Sequence, residues 1–86
     1  MKIYGTFQGE FRSISFTEYK DNAGKMAKSF KIGVELSDAD MGMLPCVDLE
    51  EHIMKSGIKK GDICSFDFEF NTDYNRLRVM TMNKLK

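Results

Sequence analysis

The chain has 86 residues, 42% of them hydrophobic and 30% charged, and its 13 basic residues are balanced by 13 acidic ones. This is the composition of one small globular domain and not of a disordered segment, and a chain so short buries only about 60 to 65% of the surface that its unfolded form exposes. A formal charge of zero argues against a histone-like or membrane-surface role. No apolar run approaches the roughly 20 residues of a membrane span, and the stretch Met1 to Gly5 is no signal peptide, so the expected location is cytoplasmic with no membrane partner.

In chain order, the first strand begins near Lys2, with Ile3, Phe7 and Phe11 on odd positions, whereas Ile14 and Phe16 fall on even ones. This change of phase predicts a bulge or sharp bend around Arg12-Ser13, helped by Gly9. A hairpin follows, from Ser13 to Gly33, and its register can be worked out. Pairing Asp21 with Lys25 across Asn22-Ala23-Gly24, with Gly24 left-handed, sets Phe16 opposite Phe30, Ile14 opposite Ile32 and Glu18 opposite Lys28 on one face. The other face carries Tyr19, Lys25 and Lys31 among Ser15, Thr17, Ala27 and Ser29. A slip of one residue exchanges the faces, so the pattern selects this register. The second strand, Met26 to Leu36, places Met26, Phe30, Ile32, Val34 and Leu36 toward the core.

Ser37 to Gly42 reads as a polar turn and Met43 to Val47 as a short third strand, at an edge or irregular because Pro45 lacks an N–H. Asp48 is the expected helix N-cap, with Glu51 completing a capping box, Leu49 and Ile53 forming an apolar pair and Gly57 ending the helix after about two turns. Lys59-Lys60-Gly61-Asp62 turns the chain into a strand in which Cys64, Phe66, Phe68 and Phe70 alternate with polar residues. The final strand, Arg76 to Lys84, returns antiparallel after a Thr72 to Asn75 loop, with Phe70 opposite Leu77, Phe68 opposite Val79 and Glu69 facing Arg78.

Five short strands with one helix before the fourth describe a mainly β domain: a small five-stranded antiparallel Greek-key barrel of the oligonucleotide/oligosaccharide-binding type, the OB-fold, over residues 1–86. The pattern is carried by the bent first strand, the hairpin around Asp21-Asn22-Ala23-Gly24-Lys25, the Lys59-Lys60-Gly61-Asp62 turn and the Tyr74-Asn75-Arg76-Leu77-Arg78 return. In size and pattern the chain resembles the small single-stranded-DNA-binding proteins of filamentous phages and related mobile elements. That resemblance implies non-catalytic binding of single strands with little sequence preference, commonly as a homodimer, through aromatic and basic residues of the sheet and hairpins. Carried over by position, the candidates are Tyr19, Lys20, Lys25, Lys28 and Lys31 on the first hairpin and Tyr74, Arg76 and Arg78 around the last.

Each candidate also has a plainer role. Tyr19 either stacks on a base or shields the hairpin as a cross-strand partner, and Tyr74 either stacks or packs on its own turn. Arg76 and Arg78 either follow phosphates or pair with Asn71 and Glu69 opposite them. Charge is unevenly placed: Tyr19 to Gly33 has a net of +3, while Glu35 to Glu51 has −6. This polarity suits a polyanion at one end. It also suits a protein-interaction adaptor that uses a sheet edge or the acidic region, and the barrel face suits an oligosaccharide or small ligand.

Catalysis finds little footing. His52, the single histidine, has no triad partner at a recognisable spacing, and Cys46 and Cys64 lack the Cys-x-x-Cys spacing and read as small buried hydrophobes. The acidic residues match no EF-hand spacing, and no metal or cofactor is expected. Single-stranded nucleic acid, DNA before RNA, is the partner that these features favour.

Overall fold

In the structure, a computed structural model that describes residues 1–36 and 41–85, the whole run Lys2–Lys20 forms one strand, β1. No single neighbour covers it. Its first half pairs with β4 (Ile63–Asn71), from Lys2 opposite Asn71 to Glu10 opposite Ile63, and its second half with β2 (Met26–Glu35), from Glu10 opposite Glu35 to Lys20 opposite Met26. The register shifts between Phe11 and Ser13, so Arg12 is the bulged residue. The extra residue restores the inward direction of the side chains after the bend, and this is why the apolar phase changes between Phe11 and Ile14.

The remaining elements are β3 (Met41–Cys46), α1 (Glu50–Ser56) and β5 (Arg76–Lys84), and the strands close in the order β1-β2-β3-β5-β4. The expected order of elements is present, with two corrections. The third strand begins at Met41, before the expected Met43. The barrel is not wholly antiparallel, because β3 and β5 meet in parallel where Cys46 lies opposite Val79. Closure demands it: strand directions cannot alternate at every neighbour around a ring of five. Most of the polar turn expected over Ser37 to Gly42, with Asp38 and Asp40, lies outside the described residues.

Both hairpin registers are those expected. At the first turn Asp21 N donates to Lys25 O at 2.9 Å, Asp21 Oδ1 accepts from the Ala23 and Lys25 N–H groups, and Gly24 has φ +78. In the last hairpin Glu69 lies opposite Arg78 and Phe70 opposite Leu77, and an unexpected bulge brings Phe66 opposite Met82. Phe66 is fully buried and stacks on Phe7 with centroids 5.1 Å apart. Around it lie Phe11, Ile32, Val34, Val79 and Met82. Cys46 and Cys64 join this core as free thiols.

Alternation overstated the core at the barrel's two ends. Ile3, Phe16, Met26 and Leu36 remain exposed, Met26 by 60%, and Phe68 and Phe70 are only partly buried. For Phe16 and Met26 the reason lies in pairing: β3 runs alongside β2 only from Phe30 to Glu35, so the rest of the first hairpin projects as a two-stranded arm with nothing above its inner face. The capping box is corrected too. Leu49, not Asp48, is the N-cap residue; Asp48 Oδ1 accepts from the Glu50 N–H at 3.1 Å, and Glu51 pairs with Lys55 at 2.8 Å. The Val47 N–H is engaged by the Val79 carbonyl at 3.0 Å, which carries the extended chain past the expected start. Gly57, with φ +69, ends the helix as expected. The helix is pinned by buried Leu49 and by His52, whose Nε2 donates to the Met82 carbonyl at 2.5 Å.

The bend in β1 leaves no room at Gly9. A Cβ there would stand 2.5 Å from Val34 Cγ1 and 3.2 Å from the Glu35 carbonyl oxygen. Gly9→Ala is expected to cost about 1 to 3 kcal/mol of stability through overpacking, read as a lower urea midpoint; an unchanged midpoint would contradict this packing.

Candidate nucleic-acid interface

The projecting arm and the last hairpin face each other across a groove of about 630 Å³. The arm supplies Tyr19, Lys28, Ser29 and Phe30, Pro45 and Cys46 come from the end of β3, and the opposite wall is Glu69, Asn71 and Tyr74 to Arg78. Five of the eight candidates read from the sequence thus line one groove: Tyr19, Lys28, Tyr74, Arg76 and Arg78. Lys20, Lys25 and Lys31 do not. Lys20 and Lys25 stand at the tip of the arm, and Lys31, paired with Ser15 and Pro45, is not among the lining residues. Alternation misses Phe30, assigned above to the core. The missing covering strand over the arm turns that side into a wall, and no local pattern reports where a neighbour ends.

Local geometry explains how the groups are presented. Phe16 and Phe30 lie with centroids 5.7 Å apart, and the Lys28 ammonium rests 4.5 Å above the Phe16 ring instead of pairing with Glu18 opposite. A cation parked on an exposed ring keeps its charge available at the groove. Tyr74 is 75% exposed in a turn held by the Asp73 N–H donating to Asn71 Oδ1 at 3.0 Å, with Asn75 left-handed at φ +53. Thr72 donates from N and Oγ1 to the Met1 carbonyl, tying this turn to the start of β1. Arg78 lies 4.0 Å from Glu69, whereas Arg76 has no ion pair among the described residues.

Three cations therefore line the groove against one carboxylate. At the other end of β2, Glu10 and Glu35 share Arg12 at 2.6 and 3.7 Å, and this guanidinium holds the Glu10 carboxyl below its ordinary pKa. The run of β2 from Lys28 to Glu35 separates the two ends by about 23 Å.

The groove offers rings and cations and little for bond chemistry. Its one thiol, Cys46, is pushed up to about 11 by burial and then by the neighbouring Asp48 charge, so it stays protonated near neutrality. Among the described residues no cluster of three or more metal-ligating side chains exists, and no helix is long and apolar enough to cross a membrane.

No protein-family model matches the sequence, and no curated protein matches it either. Solved structures do. The mitochondrial single-stranded DNA binding protein of S. cerevisiae superposes with a TM-score of 0.53 at 16% identity, over 98% of this chain and 94% of that one. A second crystal form of it gives 0.52 at 13% identity, covering 98% and 96%. The chain shares the fold of that yeast protein. At such low identity the likeness lies in the fold, which matches the OB-type architecture expected from the strand pattern.

Because the unfolded Cys46 thiol titrates near its ordinary 9.0 and the folded one near 11, the folded state keeps a proton that the unfolded state has lost. Stability should fall as pH rises from about 9 to 11, and Cys46→Ala should flatten that fall. Urea midpoints across this range test it, and a decline equally steep in the variant would refute the assignment.

Proposed function

We propose that the groove between the two hairpins binds single-stranded nucleic acid, DNA in preference to RNA, with little sequence preference and without catalysis. One observation carries the reading. Two hairpins far apart in the chain converge to set aromatic rings and cations, Tyr19 with Lys28 and Tyr74 with Arg76 and Arg78, along one groove, on a fold shared with a single-stranded DNA binding protein. Rings accept any base by stacking, worth about 1 to 3 kcal/mol per base, and cations follow any phosphate, so such a groove recognises a strand through features common to all sequences. Phe30 joins the wall. Lys20, Lys25 and Lys31 add positive charge beside it and attract the strand without lining the groove. The homodimer implied by the resemblance to phage proteins belongs to the same reading; sedimentation showing a monomer at all concentrations would remove that part alone.

Fluorescence gives the test directly, since the chain has three tyrosines and no tryptophan. Oligothymidylate should quench the tyrosine emission, with log affinity falling against log salt by about 0.7 per phosphate neutralised. Tyr74→Ala should weaken binding by about 1 to 3 kcal/mol, and Arg76→Ala should lower the salt slope by about 0.7. No quenching at low salt up to high micromolar DNA would sink the proposal.

A further inference from the structure

The groove opens onto the outer face of β5, β4 and β1, where cross-strand pairing sets two rows side by side. One row is Arg76, Asn71 and Lys2; the next is Arg78, Glu69 and Tyr4. Residues directly opposite in antiparallel pairs share a face, so both rows look outward together. Asn71, Glu69, Arg76 and Arg78 already belong to the groove wall, which makes the face its unbroken continuation. At the far edge the Tyr4 ring stands 68% exposed.

Charge along these rows favours a polyanion. Glu69 is largely covered, its side chain 12% exposed, with Lys2 Nζ at 3.7 Å and Arg78 at 4.0 Å, so one carboxylate faces two cations and Arg76 adds a third. The following row reverses the sign. Thr6 Oγ1 donates to Asp67 Oδ1 at 2.6 Å, placing an unpaired carboxylate on the surface among the described residues, and this borders the basic strip on the side away from the turn.

We propose that a strand held in the groove continues across this face and stacks a further base on Tyr4, while Arg76, Arg78 and Lys2 follow its phosphates. The inference rests on the groove being the nucleic-acid site. Two inter-strand spacings take the path from β5 to β1, about 10 Å, the rise of about three stacked nucleotides. Tyr4 therefore matters only for strands long enough to leave the groove.

Strand length separates the two sites. Labelled oligothymidylates of about 4 and about 12 nucleotides, the lower and upper part of the range an OB barrel covers, are titrated by anisotropy with the wild type, Tyr4→Ala and Tyr4→Phe. Tyr4→Ala should bind the short strand as the wild type does and lose about five- to a hundredfold on the long one, with Tyr4→Phe retaining the affinity. If the wild type binds and Tyr4→Ala matches it at both lengths, the extension is wrong and the groove stands. An equal loss at both lengths also overturns the extension, since it leaves no length-dependent contact. A wild type that binds neither strand overturns the groove reading and the extension with it.

Discussion

Strand β1 must satisfy its backbone donors and acceptors against two different neighbours, and the rest of the barrel depends on how it does so. The bulge at Arg12 is the device. It turns the strand from β4 to β2 while keeping Phe11 and Ile14 directed inward, and the close approach at Gly9 lets Val34 fill the inside of the bend. The same point is stitched to the turn before β4: Phe11 N donates to the Asp62 carbonyl and Gly61 N to the Phe11 carbonyl, both at 2.8 Å. Bend, turn and core meet at Phe11, which is 6% exposed.

The surface follows from that sharing. Because β1 gives its first half to β4, its second half is free to run with β2 beyond the point where β3 stops. An arm results, and its inner face keeps the apolar alternation of a core strand without a core to enter. Phe16 and Phe30 then form a partly exposed aromatic pair, in which Phe16 seats the Lys28 ammonium and Phe30 lines the groove. Burying both rings fully would stabilise the domain more, but no strand distant in the chain extends far enough to cover them.

Closure of the ring adds a second constraint. Five strands admit no fully alternating arrangement, so one joint must be parallel, and it falls where β3 and β5 touch at Cys46 and Val79, extended by the Val47 N–H to the Val79 carbonyl. This thin joint places Cys46 at the groove floor and carries the chain extended past Asp48, which delays the helix to Glu50. It also brings Tyr74 to Arg78 opposite the arm. The groove is a product of closure as much as of either hairpin.

Within one hairpin, side-chain alternation and turn chemistry act between residues close in the chain, and there the sequence by itself determined the outcome: the Asp21 to Lys25 turn, Phe16 opposite Phe30, Phe70 opposite Leu77, the phase change at Arg12-Ser13 and the glycine stop at Gly57. Which inward faces are covered depends on how far a strand distant in the chain extends, so the exposure of Phe16, Met26 and Ile3 and the groove role of Phe30 were left to tertiary structure. The same holds for the groove. Tyr19, Lys28, Tyr74, Arg76 and Arg78 were legible as aromatic and basic residues near turns, but only barrel closure set them along one groove, left Lys20, Lys25 and Lys31 beside it and placed Tyr4 in line with Arg78. Alternation says which side of a strand a residue takes, and only the path of the whole chain says what stands on that side.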